Sequence, residues 1–347
     1  MPKPGTVAVT LSDVAAAASC DLSTVSRVLS GDKNQRVREE TRERILAAAK
    51  ALDYRPNLSA RGLRTSRTYT LGIAVPQLDN PVYYQIILGA ERGAYERGYS
   101  LVISHIEENA ADDSAYARIV QANRVDGLLV TTLDDNSAIL RAVRQARVPF
   151  LLLNRKVKGV RNCYHFDSRA AARMATQHLI DLGHRRIAYL SGQVHPTLGA
   201  GRLAGYCEAL DAAGVAYDPA LVAISGYTVQ GGATAMREIL ARGGPRPTAV
   251  FPLTLTAATG AMMVLHEQRI AVPDDMSVIT VHDGPMAEVM YPQLSTVSMP
   301  VEQMGYEGAQ ALIELINGTR TRANREFAPL ALVARASTAP PPAATTT

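Results

Sequence analysis

Leu11-Ser-Asp-Val-Ala-Ala-Ala-Ala-Ser-Cys-Asp-Leu-Ser-Thr-Val-Ser-Arg-Val-Leu29 reads as two short helices joined by a tight turn. Thr10 and Asp13 have the spacing of a capping box: Thr10 accepts from the amide three residues on, and Asp13 sits at the positive end of the helix. Leu11, Val14, Ala15 and Ala18 then fall on one face. Ser19-Cys20-Asp21 is a polar break, and Asp21 is a good N-cap for a second helix from Leu22 to Leu29. In that helix Val25, Val28 and Leu29 face inward, and Leu22, Ser23, Ser26 and Arg27 face outward. A third amphipathic helix is expected from Glu39 to Leu52, with Ile45, Ala49 and Leu52 as its apolar stripe. Two short helices so joined let the second lie in a DNA major groove, about 12 Å wide.

Charge supports this placement. Residues 1–68 hold 12 Lys and Arg against 7 Asp and Glu, a net of +5; the whole chain is +4, so the remaining 279 residues carry −1. The basic excess lies in the part that would meet phosphates. A chain of 347 residues is long enough for two or three domains with a large core. With no apolar run of ~18 residues and no signal peptide, a soluble cytoplasmic protein is expected. Cys20, Cys163 and Cys207 are widely spaced, which fits reduced structural thiols better than a disulfide or zinc framework.

The chain resembles the lactose-repressor family of bacterial transcription regulators. The resemblance rests on Asp13-Val-Ala15, Ser23-Thr-Val-Ser-Arg-Val-Leu29, Glu40-Thr-Arg42, Tyr54-Arg-Pro-Asn57 and Ala60-Arg61-Gly-Leu63, and it continues to about residue 338. It implies a helix-turn-helix head at 8–55, a hinge helix or linker at 56–66, and an effector-binding and dimerisation core at 67–338. DNA contacts are then expected from Thr10, Leu11, Leu22, Ser23, Thr24, Ser26, Arg27, Tyr54, Asn57, Ala60 and Leu63. Leu63 stands where the family has an apolar wedge for the minor groove; the other reading is a linker whose Leu63 packs on the core. Gly62 stands where the family usually has a better helix former, at up to ~1 kcal/mol of helix relative to Ala. Arg38 stands where relatives usually carry a capping Ser. It cannot accept the orphan amides, and it either meets a phosphate or stays solvated.

After Arg67 the pattern changes. Apolar runs at 71–75, 101–103, 127–130, 150–153, 187–190, 249–251 and 278–281 alternate with helical segments. Such alternation implies parallel sheets covered on both faces, an α/β fold. The resemblance implies two lobes like those of periplasmic binding proteins, with the chain crossing between them three times. Lobe 1 is placed at about 69–167 plus 300–325 and lobe 2 at about 168–298 plus 326–338. The low-complexity tail 339–347 is expected to be disordered.

Ligands of open parallel sheets bind beyond the carboxyl ends of the strands. Candidate effector residues follow those ends: Asp79-Asn80-Pro81 with Tyr83 and Tyr84, then Asn154 and Arg155, the His195 loop, Arg202, Phe251 to Leu255 including Thr254, and His282-Asp283. Arg202 lies in Arg202-Leu-Ala-Gly-Tyr206, which matches a family motif whose Arg reaches the effector; a structural ion pair is the alternative. Tyr83 and Tyr84 are also readable as core or dimer-interface aromatics. Sugar-binding relatives carry Asn-Asp where this chain has Thr254-Leu255, and Asp where it has His282. Loss of both carboxylates with Arg155 and Arg202 retained tips the pocket towards positive, and a guanidinium fork suits a carboxylate or phosphate. The expectation is an anionic effector such as a sugar acid, sugar phosphate or other small carboxylate, with Asp283 or water left to neutralise the empty site. With an unperturbed pKa of ~6.5, His282 is expected to add positive charge as pH falls. A neutral sugar stays open, as does a buried neutral His282 with no ligand role.

Enzyme motifs are absent. Gly199-Ala-Gly201 with Gly205 misses the dinucleotide spacing, and there is no phosphate-binding loop, zinc helix motif or nucleophile elbow. The expected function is a ligand-controlled transcription regulator that needs no cofactor or metal. Its expected partners are pseudo-palindromic double-stranded operator DNA, a small effector and a second copy of itself. No leucine heptad follows residue 338, so a dimer is expected rather than a tetramer.

Overall fold

The computed structural model describes residues 9–29, 37–54, 67–105, 124–131, 140–141, 144–145, 148–192 and 199–343. The chain divides into two units, residues 1–68 and 69–347.

The first unit is helical. Helices α1 (Leu11–Ala17), α2 (Leu22–Leu29) and α3 (Glu39–Ala51) enclose a small core of Val14, Ala15, Ala18, Val25, Val28, Ile45 and Ala49. The capping box forms: the Thr10 hydroxyl accepts from the Asp13 amide, and the Asp13 carboxylate accepts from the Thr10 amide at 2.8 Å. Asp21 caps α2 by accepting from the Thr24 amide at 2.9 Å. Ser19 turns the chain between them in the left-handed region, at φ 49°. Arg44 of α3 holds that turn, its Nε donating to the Ala18 carbonyl at 2.9 Å. Arg38 occupies the N-cap of α3 and makes no side-chain cap bond, as expected of a side chain with no acceptor.

The second unit is built on two six-stranded sheets. Lobe 1 contains β1 (Thr70–Val75), β2 (Ser100–His105), β3 (Gly127–Val130), β4 (Phe150–Leu153), β5 (Cys163–Phe166) and β11 (Asn324–Phe327), in the order β11-β5-β4-β3-β1-β2. Lobe 2 contains β6 (Ile187–Ser191), β7 (Val222–Ile224), β8 (Ala249–Pro252), β9 (Ser277–Val281), β10 (Ser295–Ser298) and β12 (Ala331–Val333), in the order β12-β10-β9-β8-β6-β7. Among the described residues, all pairings are parallel except β10 with β12. Every apolar run read as a strand is one. The strands missed in the sequence, β5, β7, β10, β11 and β12, are three or four residues long and mostly mix polar with apolar residues.

Helices α4 (Pro81–Tyr95) and α10 (Val301–Ile316) pack together in lobe 1; α5 (Ser168–Asp181), α6 (Ala200–Ala212), α7 (Val229–Ala241), α8 (Leu255–Glu267) and the short α9 (Pro285–Val289) belong to lobe 2. The pair α5–α6 meets backbone to backbone: a Cβ on Gly205 would lie 2.1 Å from the Arg169 carbonyl oxygen. That contact matters below, because both helices begin at the same cleft.

Two expectations about boundaries are corrected. A lobe border at 325/326 would cut β11, whose Glu326 and Phe327 pair with His165 and Phe166 of β5. The third crossing therefore follows Phe327. The tail is anchored at its start rather than disordered from 339 onward. The Ala339 amide donates to the Ser277 hydroxyl at 3.0 Å, and its carbonyl accepts from buried His184 at 2.9 Å. Residues 344–347 of the tail lie outside the described residues.

Gly205→Ala is expected to force α6 away from α5, at about 1–3 kcal/mol, the usual cost of overpacking a tight contact. Urea unfolding of the two chains measures this; equal midpoints would contradict the close approach.

Candidate ligand cleft and nucleic-acid interface

A cleft of about 320 Å³ opens beyond the C-terminal ends of strands from both lobes. From lobe 1, Asn80, Val82 and Tyr83 follow β1, Asn154, Arg155 and Lys156 follow β4, and His165 and Phe166 end β5. Asp167, Ser168 and Arg169 line it at the crossing into α5, with Gly201 and Arg202 of α6, Tyr227, Thr254, His282 and Glu326 completing the wall. Local capping fixes several of these residues. Asn80 caps α4 through the Val82 amide at 3.1 Å, Asp167 caps α5 through Ala170 at 2.8 Å, and Thr254 caps α8 through Ala257 at 3.2 Å. Asn154 and His282 leave their strands in the left-handed region, at φ 63° and 74°.

Arg202 is the buried centre of the site. It is 8% exposed, and it donates through Nη1 to the Leu253 carbonyl at 2.9 Å and through Nη2 to His282 Nε2 at 3.0 Å. A guanidinium has no lone pair to offer, so Nε2 of His282 must be the acceptor and Nδ1 carries the ring proton. Burial, reinforced by the charge of Arg202, holds the His282 pKa well below its ordinary value. Among the described residues, Arg202 Nε and His282 Nδ1 have no hydrogen-bond partner. Phe166 of lobe 1 lies edge-on to the imidazole at 5.5 Å between ring centroids, and Gln85 of α4 donates to the Asp283 carbonyl at 3.0 Å. The strand end that carries His282 therefore touches both lobes.

Several sequence-based expectations need correction. Asp283 does not neutralise Arg202. Its carboxylate forms an ion pair with Arg335 at 2.8 Å and accepts from Thr296. Burial opposes its ionisation, but these bonds outweigh it and leave the pKa below the usual carboxylate value. His282 gains no charge near neutrality. Tyr84 is exposed on α4 and does not line the cleft, although Tyr83, one residue earlier, does. Phe251 is fully buried against Tyr189, and Leu255 belongs to the apolar core of lobe 2. His195 lies outside the described residues. Tyr83, Asn154, Arg155, Arg202, Thr254 and His282 line the same cleft. The sequence reading missed Asp167, Arg169, Tyr227, His165 and Glu326. Asp167-Ser-Arg-Ala170 is a legible N-cap signal that could have found the first two.

The cleft's charge is uneven. Arg155, Lys156, Arg169 and Arg202 face Asp167 and Glu326, with Arg169 already paired to Glu208. No group of described His, Cys, Asp and Glu side chains could hold a metal ion.

In the head, α2 exposes Leu22, Ser23 and Arg27, while Thr24 and Ser26 are half-buried. Leu11 and Tyr54 pack partly on the head's core, and the Thr10 hydroxyl is committed to Asp13 at 2.7 Å. Arg38 is exposed. Asn57, Ala60 and Leu63 lie outside the described residues.

Comparison with known proteins gives the lineage. Residues 10–57 match the bacterial regulatory proteins of the lacI family, and residues 176–338 match the periplasmic binding protein-like domain. The HTH-type transcriptional regulator CelR of Thermobifida fusca is 35% identical over 90% of this chain and 93% of its own. The chain belongs to the LacI family. The ribose operon repressor of Escherichia coli K12, also of this kind, is 32% identical over 88% of the chain and 93% of its own. Among solved structures, a CelR–cellobiose complex superposes with a TM-score of 0.73 at 33% identity, covering 95% of this chain and 99% of that one. The lac repressor dimer bound to operator and the anti-inducer ONPF superposes at 0.81 with 28% identity, covering 96% and 100%. The LacI-family assignment makes this chain a DNA-binding transcription regulator rather than an enzyme. No helix among the described residues is long and apolar enough to cross a membrane.

The histidines give a pH dependence. Burial lowers the pKa of His184 and His282 from an ordinary value of 6.5. As pH falls through that value, the unfolded chain takes up protons that the folded core refuses. Their contribution to stability is therefore complete above about 6.5 and is lost progressively below it. The melting temperature should fall from pH 7.5 to pH 5.5, and less steeply in His184→Gln. A flat profile in both chains would contradict the burial of these rings.

Proposed function

We propose that this regulator represses transcription as a homodimer on a pseudo-palindromic operator, and that an anionic sugar derivative in the cleft controls its DNA affinity. Leu22, Ser23 and Arg27 of α2 read base edges in the major groove, and Leu11, Ser26, Arg38 and Tyr54 position the head on the backbone; Thr10 and Thr24, whose hydroxyl hydrogens are held by Asp13 and Asp21, lie at the contact without donating to phosphate. Residues 56–66, with Asn57, Ala60 and Leu63, supply the hinge contact in the minor groove. Tyr84 and Leu88, exposed one turn apart on α4, suit the dimer contact better than the cleft.

The observation that carries the effector's charge is the state of Arg202: a buried cation whose partners among the described residues are a carbonyl and a neutral imidazole. A buried cation without a counter-charge is costly. An anionic ligand supplies that charge, and its remaining hydroxyls have Asn154, Thr254 and Asp167 as polar neighbours. A neutral sugar is the second reading, favoured by relatives whose names and structures mention ribose and cellobiose.

Effector and operator must be coupled reciprocally, since a ligand shifts DNA affinity only through unequal affinity for two conformations. A gel shift with DNA flanking the gene, titrated with a uronic or aldonic acid and with its parent sugar, tests the reading. The acid should change operator affinity at lower concentration than the sugar. Arg202→Ala should keep DNA binding and lose the response. A response to the neutral sugar at lower concentration would overturn the anionic effector while leaving the regulator intact.

A further inference from the structure

The hydroxyl hydrogens at the start of α2 are already spoken for. Asp21 Oδ1 accepts from the Ser23 hydroxyl at 2.6 Å and from the Thr24 amide at 2.9 Å, and Oδ2 accepts from the Thr24 hydroxyl at 2.6 Å. Bonds from a hydroxyl to a carboxylate are charge-assisted and among the stronger neutral-to-ion contacts. The same bonds hold the Asp21 carboxyl far below its usual pKa, so it is ionised at any working pH.

A serine hydroxyl has one hydrogen and two lone pairs. With its hydrogen held by Asp21, Ser23 offers the groove only lone pairs. In the major groove the base donors are adenine N6 and cytosine N4, whereas guanine O6 and N7, thymine O4 and the phosphate oxygens are all acceptors. Asp21 itself accepts only and repels phosphate.

We propose that Asp21 is a specificity-determining residue: by taking the hydroxyl hydrogen of Ser23, it makes that side chain a reader of adenine or cytosine and bars it from guanine, thymine and phosphate. The proposal rests on the reading that α2 enters the major groove. It adds that the base preference at one position of each half-site is set by a residue that need not touch that base. Asp21 acts here as a positioning residue, distinct from its role as N-cap.

Selection of operators from a randomised DNA pool with the full chain tests this, using wild type, Ser23→Ala and Asp21→Gly. Glycine is a tolerated N-cap that has no side-chain acceptor, so Asp21→Gly keeps the helix start while releasing the Ser23 hydrogen. Wild type should show one position per half-site with a preference of roughly 5- to 10-fold for A or C on one strand, the size of a single mismatch penalty at its lower end. Ser23→Ala should flatten that position alone. Asp21→Gly should admit G and T there and leave the position read by Arg27 unchanged. An A or C preference that survives Asp21→Gly, or a Ser23-dependent position that prefers G or T in wild type, overturns the proposal. A wild-type chain that enriches no sequence overturns the groove reading, and this inference with it. Circular dichroism of each chain separates these outcomes from loss of the head: a variant with reduced helix is replaced by Asp21→Asn, which retains one accepting oxygen and should relax the position partway.

Discussion

The contact between Arg202 and His282 governs the chemistry of the cleft. A guanidinium placed at 8% exposure must find acceptors or give up much of its hydration. Here one end is met by the Leu253 carbonyl and another by an imidazole nitrogen. Both acceptors are neutral. They satisfy geometry without cancelling charge, so among the described residues the site keeps a cation and two unmet donors, Arg202 Nε and His282 Nδ1. A carboxylate in place of His282 would have answered the charge within the protein. The imidazole leaves it to be answered by whatever binds.

The same strand end links this chemistry to the body of the fold. His282 is followed by Asp283, whose carboxylate is locked to Arg335 and whose carbonyl receives Gln85 of lobe 1. The imidazole rests edge-on against Phe166, the last residue of β5. A ligand that draws on Arg202 and His282 thus pulls on a segment already bonded across the lobes, and this is a physical route by which occupancy can favour one arrangement of the lobes over another.

How much of this was legible beforehand follows from the length and purity of each signal. The three head helices were readable because capping residues and apolar spacing agree at Thr10, Asp13, Asp21, Val25 and Ile45. The long apolar strands were readable for the same reason. Cys163–Phe166 and Asn324–Phe327 were not: each is four residues of mixed character, the first set between β4 and β11 and the second paired with a neighbour 161 positions away. In the cleft, Arg202 and His282 were legible as departures from a family pattern, but their mutual hydrogen bond was not. Without it, His282 read as a group that gains charge near neutral pH and Asp283 as the counter-ion. Both errors came from weighing charges without the partners that burial selects. Tyr83 and Tyr84 show the limit of adjacency on a helix: one step of about 100° turns a cleft residue into a surface residue.

The most direct test of this account is the protonation state of His282 itself. Nuclear magnetic resonance of the protein with nitrogen-labelled histidine, assigned by comparison with His282→Gln, reports which ring nitrogen carries the proton and where the ring titrates. The account predicts a proton on Nδ1, a bare Nε2, and no titration between about pH 8 and pH 6. A proton on Nε2, or a titration near the ordinary value of 6.5, would contradict it, because the imidazole would then no longer be the neutral acceptor that leaves Arg202 charged.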